Sequence, residues 1–125
     1  MAALSLPYFR LNEAEQFSFY RIPKLLITDA RFQGLSTDAK LLYGLMLDRM
    51  SLSMKNSWLD NDGNVYIYFP VEEIMALLHC RSEKAAKLLA ELDTKKGIGL
   101  IERIRQGQGK PTKIYVKNFT GNLSF

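Results

Sequence analysis

The chain has 125 residues, a length suited to one domain, and its 47% hydrophobic content suffices for one buried core. A net charge of +4 arises from 17 Lys and Arg against 13 Asp and Glu, with a single His and a single Cys. No apolar run approaches the roughly 20 residues that a bilayer demands, the lone Cys80 precludes an internal disulfide, and one histidine leaves too few ligands for a zinc site.

Met1-Ala2-Ala3-Leu4-Ser5-Leu6-Pro7 is short and lacks the charged head of a secretory signal. A cytoplasmic protein without membrane association, metal or cofactor is therefore expected. Residues 1–18 mix aromatics and charge (Tyr8, Phe9, Arg10, Glu13, Glu15, Phe17) without a sustained period, which reads as an arm whose order depends on docking. Exposed Tyr8, Phe9 and Phe17 would be unusual on a monomer, so the arm leans toward contact with a second copy, with DNA contact or no contact as the alternatives.

In Phe19-Tyr20-Arg21-Ile22-Pro23 the proline biases Ile22 toward the β region, so the segment reads as extended. Ser36 is a candidate N-cap for a long helix whose apolar residues at 39, 42, 43, 46 and 50 share one face, widened by Leu41, Leu45 and Leu47. Lys40, Asp48 and Arg49 fall off that stripe and read as a solvated rim. Trp58-Leu59-Asp60-Asn61-Asp62-Gly63-Asn64 is acidic, but its glycine and its twelfth residue, Val71, do not match a calcium loop. It reads as a turn reversed at Asp62-Gly63, followed by a short strand, Val65-Tyr66-Ile67-Tyr68-Phe69, that joins a later hairpin.

Pro70 suits a first helical turn, and Glu72 and Glu73 complement the positive end of its dipole. Ile74, Leu77 and Leu78 form the apolar face of that helix, which ends near Cys80. After the hinge His79-Cys80-Arg81-Ser82, Ser82 is a candidate cap for a helix with Ala85, Leu88, Leu89 and Leu92 on one buried stripe, ended by Gly97 and Gly99. Ala85 and Ala86 would let the two helices approach closely. A basic hairpin follows: Leu100 to Arg105, then Gln106-Gly107-Gln108-Gly109-Lys110-Pro111, then Lys113-Ile114-Tyr115-Val116-Lys117.

Helix, tight turn, helix and hairpin in that order predict an α+β winged helix-turn-helix: a three-helix core with a small antiparallel sheet and a hairpin wing. Such a unit presents one helix and one loop to DNA. Charge agrees with this. From Arg81 to Lys117, ten Lys or Arg stand against four acids, a net of +6, while the rest of the chain nets −2.

With 85, 88, 89 and 92 turned inward, Glu83, Lys84, Lys87, Glu91 and Lys95 are expected to face out, with Arg81 and Ser82 at the helix entrance. In a helix-turn-helix this half enters the major groove, where Lys and Arg bond guanine O6 and N7 and Ser reaches base or phosphate. Glu83 either accepts from a cytosine amino group or complements the helix dipole. The wing tip, with Gln106, Gln108 and Lys110 flanked by Arg103, Arg105, Lys113 and Lys117, suits phosphates or a minor groove. Tyr115 is expected to pack on the sheet rather than stack on a base. No enzymatic activity is expected. His79 and Cys80 are adjacent and cannot point at each other, and no Gly-rich phosphate loop ending in Gly-Lys-Ser or Gly-Lys-Thr is present.

Several stretches, in the same order over residues 19–118, resemble the N-terminal domain of the RepA family of plasmid replication initiators. They are Phe19 to Lys24, Leu35 to Tyr43, Asp48 to Ser53, Asn56-Ser57-Trp58 with Asp60 to Gly63, and Gly109-Lys110-Pro111 with Ile114-Tyr115-Val116. The resemblance implies a winged helix binding double-stranded DNA at the repeats (iterons) of a replication origin on a plasmid or mobile element, as a homodimer or larger assembly. It places the recognition helix at Glu83 through Lys95 and the wing at Arg105 through Lys113. It also implies a tail at 119–125 leading to a C-terminal domain that recruits host replication proteins. Lys40, Arg49, Asn56 and Trp58 are frequent in the family, as DNA contacts or as fold residues. The rival readings are a transcriptional regulator at promoter operators and a protein-docking module on the same scaffold.

Overall fold

The computed structural model describes residues 2–56 and 58–120, apart from the side chain of Met54. In chain order they form a 3-10 turn (Glu13–Gln16), α1 (Leu25–Thr28), a second 3-10 turn (Ala30–Phe32), α2 (Thr37–Lys55), α3 (Val71–Leu78), α4 (Ser82–Leu92), β1 (Ile101–Ile104) and β2 (Lys113–Val116). Ser57 and the tail beyond Thr120 lie outside the described residues. Among the described residues no helix is long and apolar enough to cross a membrane.

The predicted cap starts α2. Ser36 Oγ accepts from the amide of Ala39 at 3.1 Å, and its carbonyl accepts the first helical bond, from Lys40, at 3.1 Å. Ala39, Leu42, Tyr43, Leu45 and Met46 are buried, and Leu47 and Met50 pack against them. Leu41, expected to widen this face, is exposed instead. The extended segment before α1 crosses α2 at Gly44, where a β-carbon would overlap the side chain of Ile22 and lie 2.9 Å from the Arg21 carbonyl.

Arg49 is not a solvated rim residue. Its guanidinium donates to the Tyr68 carbonyl at 2.9 Å, pairs with Glu73 and lies 4.6 Å over the Phe69 ring. One side chain thus ties α2 to the segment before α3 and to α3 itself. Val65–Phe69, expected as a strand, is not a continuous one. Leu59 bridges Val65 across the Asp62-Gly63 turn, and Ile67 alone joins β2, exchanging both backbone bonds with Ile114 at 2.9 Å. The next carbonyl, that of Tyr68, accepts from Arg49.

β1 and β2 are antiparallel, with Ile101 opposite Val116 and Ile104 opposite Lys113. Ile67, Ile101 and Ile114 point from this small sheet into a core shared with Ile74 of α3 and Leu88, Leu89 and Leu92 of α4. Leu77, expected on the buried face of α3, is 41% exposed, and Val71 and Met75 pack in its stead. Of the two alanines, only Ala85 is buried; Ala86 is exposed.

α3 stops at His79, which adopts the left-handed conformation (φ 53°, ψ 48°), while the amide of Cys80 donates back to the Met75 carbonyl at 3.2 Å. The cap of α4 differs from expectation. Arg81 holds the cap position with no side-chain bond, and Ser82 is the first helical residue. The helix also ends earlier than its glycines suggested. Asp93 turns extended and makes a parallel bridge with Ile101, so Thr94 to Lys96 form a turn outside the helix.

Candidate nucleic-acid interface

α4 has its apolar stripe at Ala85, Leu88, Leu89 and Leu92, all buried, and this sets every other direction on the helix. At 100° per residue, Glu83, Lys87 and Ala90 lie opposite the stripe, Lys84 and Glu91 lie on one flank and Ala86 on the other. Arg81, Ser82, Glu83, Lys84 and Lys87 are all exposed, so the expected cluster at the N-terminal half of α4 is present at the surface. Ala86, assigned from sequence to helix packing, is exposed on its flank.

The flank of α4 docks on the first turn of α2 through two polar contacts. Lys84 Nζ lies 2.6 Å from Asp38 Oδ2, with the lysine side chain 54% exposed. The hydrogen bond to Asp38, and secondly its charge, raise the Lys84 ammonium above its ordinary value and keep it charged. Two turns on, Glu91 accepts from the Ser36 amide at 2.9 Å and from the Ser36 hydroxyl at 2.7 Å. Glu91 was expected to face solvent. It is half-buried and completes the cap of α2 from a distance, as a Glu at the third helical position would in a capping box. That position is Ala39 here, and this local gap was the one signal in the sequence.

The wing loop runs from Arg105 to Thr112, with Gly107 (φ 111°) and Gly109 (φ 79°) in conformations open to glycine. Arg105, Gln108 and Lys110 are exposed at its tip. Lys110, Pro111 and Thr112 share a groove of about 320 Å³ with Leu89 of α4, Val71 of α3 and its cap residue Pro70, so the descending limb of the wing lies beside the helix pair.

Four other expected contacts have partners within the fold. Arg103 faces inward, where its Nε and Nη2 both lie 2.6 Å from Asp93 Oδ2. Gln106 donates to the Pro111 carbonyl at 2.6 Å and braces the loop. Lys113 sits 4.5 Å over the Tyr66 ring, and Lys117 lies 3.4 Å from Glu102. Tyr115, as expected, belongs to the sheet: its hydroxyl donates to Asp60 at 3.0 Å and its ring meets Tyr66 edge-on.

The Asp93–Arg103 pair holds the end of α4 to the root of the wing. Burial alone would raise the Asp93 carboxyl, but the hydrogen bond and charge of Arg103, with donors from Thr94, outweigh it and hold the group below its ordinary value. A depressed carboxyl stabilises the fold above its unfolded value of about 3.9 and loses that contribution as pH falls through the folded value. Asp93→Asn is therefore expected to flatten the acid limb of a stability-versus-pH curve below about pH 4. Arg103→Leu, which strands a buried carboxylate, should cost about 1–2 kcal/mol at neutral pH in a denaturant titration while leaving the salt dependence of DNA binding unchanged. A shallower salt slope in that variant would return Arg103 to the DNA contacts.

A family model described as replication initiator protein A (RepA) N-terminus matches residues 18–124. The chain belongs to this family. A 41 kDa protein of Lactobacillus helveticus is 35% identical over 104 residues, which cover 78% of this chain and 29% of that protein. The chain thus spans less than a third of the length of this curated relative. Among solved structures, a chain described as the N-terminal domain of a DNA-binding protein is 36% identical with a TM-score of 0.72, over 91% of this chain and 85% of that one. A chain from the structure of a Rep–DNA complex is 37% identical at 0.72, over 90% and 84%. A chain from the structure of an MDR initiator is 30% identical at 0.69, over 90% and 86%. These similarities each cover about nine-tenths of this chain, and the described residues have the expected winged-helix fold.

Proposed function

We propose that the chain is the DNA-reading part of a replication initiator and binds repeated sequences in the origin of a plasmid or similar element. The observation that carries this reading is the exposed cationic N-terminal half of α4 beside a basic wing, in a chain of the RepA N-terminus family. Likeness to a protein solved as a Rep–DNA complex supports it. In this reading Lys84, Lys87, Ser82 and Glu83 meet base edges, and Arg105, Lys110 and Gln108 hold the phosphate backbone. The domain performs no chemistry and needs no cofactor.

We further infer that the chain works as a homodimer or larger assembly in the cytoplasm. The arm exposes Leu4, Leu6, Tyr8, Phe9 and Leu11, more apolar surface than a solitary arm ordinarily shows to water. Recruitment of host replication proteins falls to a C-terminal domain of the whole initiator, in keeping with the fraction of its relative that this chain spans.

Selection of bound fragments from a random duplex pool tests the function. Clustered direct repeats in the enriched DNA support an initiator; isolated operators would favour a transcriptional regulator; no enrichment would leave a docking module. With the selected duplex in hand, Lys110→Ala is expected to weaken all sequences about evenly and to lower the salt slope by about 1, as befits one lost phosphate contact. An unchanged slope would remove Lys110 from the interface.

A further inference from the structure

We propose that Asp38, at the second position of α2, is a specificity-determining residue that lets Lys84 engage a neutral base acceptor while discouraging its use on phosphate. The inference rests on the reading of α4 as the helix that meets the major groove. Its observation is the pairing of Lys84 Nζ with Asp38 Oδ2 at 2.6 Å, at the edge of that face, with both side chains about half exposed.

An ammonium carries three donors and no acceptor. One proton is committed to Asp38, and two remain, the number that guanine O6 and N7 accept together. A guanine edge is neutral, so it can share Lys84 with the carboxylate without repulsion. A phosphate cannot. To reach the same ammonium it must bring its charge to within a few ångströms of Asp38, and like charges at that separation repel even across high dielectric.

Non-specific binding consists of such phosphate contacts, each releasing condensed counterions. A cation already neutralised by its own protein contributes little to that term. Lys87, on the neighbouring turn, is in no ion pair among the described residues and so adds to both kinds of binding. The second contact between the same elements, Glu91 with Ser36, fixes α4 against the first turn of α2 and keeps Asp38 beside Lys84. Asp38 also stands in the first turn of α2, at the positive end of the helix dipole.

The test compares Asp38→Asn with the unaltered chain on two duplexes of equal length, one selected from a random pool and one containing only A·T pairs. The variant is expected to bind the A·T duplex about threefold more tightly at 0.1 M salt, with a salt slope steeper by about 0.9, and to bind the selected duplex within about twofold of the original. The ratio between the two duplexes therefore falls. Adding Lys84→Met to Asp38→Asn should abolish the gain on the A·T duplex, because the freed cation is its source. An unchanged ratio in Asp38→Asn, with Lys84→Glu still losing the selected duplex, would overturn the role of Asp38 and leave the α4 reading intact. Retention of the selected duplex by the Lys84→Glu, Lys87→Glu double variant would overturn both.

Discussion

The Lys84→Glu, Lys87→Glu double variant is expected to lose the selected duplex by roughly two to three orders of magnitude at moderate salt, since each position supplies a contact worth about 1–3 kcal/mol. Both side chains are exposed on the N-terminal half of α4, and reversal replaces donors at the groove by acceptors that repel it. The fold should survive. Neither residue belongs to the core, and the one interaction removed is an exposed ion pair of the kind worth less than about 1 kcal/mol. A melting temperature near that of the unaltered chain, measured alongside a filter-binding or anisotropy titration, separates loss of reading from loss of structure. Undiminished affinity would mean that another face of the molecule meets DNA.

Gly97→Ala is expected to give the largest stability loss of any surface substitution here, about 2–3 kcal/mol, read as a fall in melting temperature of about 10 °C. A β-carbon at this position would overlap the carbonyl oxygens of Ala90 and Glu91, which are backbone atoms and cannot rotate away. Relief would require the turn after α4 to lift, breaking the bond from the Ile98 amide to the Glu91 carbonyl at 2.9 Å. Displacement of that turn would also disturb Glu91, whose carboxylate caps α2. Gly34→Ala makes a fair control, because nothing lies within 4 Å of its added carbon and its backbone is not left-handed. A melt of Gly97→Ala within about 2 °C of the original would show that the turn adapts cheaply.

What could be read from the sequence was set by neighbours a few residues apart. The apolar stripes of α2 and α4, the Ser36 cap, the reversal at Asp62-Gly63 and the glycine-bent basic loop each follow from periodicity or turn chemistry within one element. Together with their order they specify a winged helix-turn-helix with lysines on the N-terminal half of α4 and a basic wing. Two of the errors were local in kind. Ser82 looked like a cap and proved to be the first helical residue, while Gly97 looked like a helix stop and proved to be a point of close backbone approach.

Tertiary structure decided which charged side chains are available to a partner. Arg103 and Arg105 stand two residues apart on the same strand and loop, equally basic in sequence; the first is turned onto Asp93 and the second is exposed. Lys84 and Glu91 share one flank of α4, and only docking on the first turn of α2 gives them Asp38 and Ser36 as partners, residues 46 and 55 positions away in the chain. Arg49 likewise looked solvated until α3 and the Tyr68–Phe69 segment closed over it. The physical reason is range. Backbone propensity and apolar period act over a turn or two, whereas a long charged side chain takes whichever partner the packing of distant elements brings within about 3 Å.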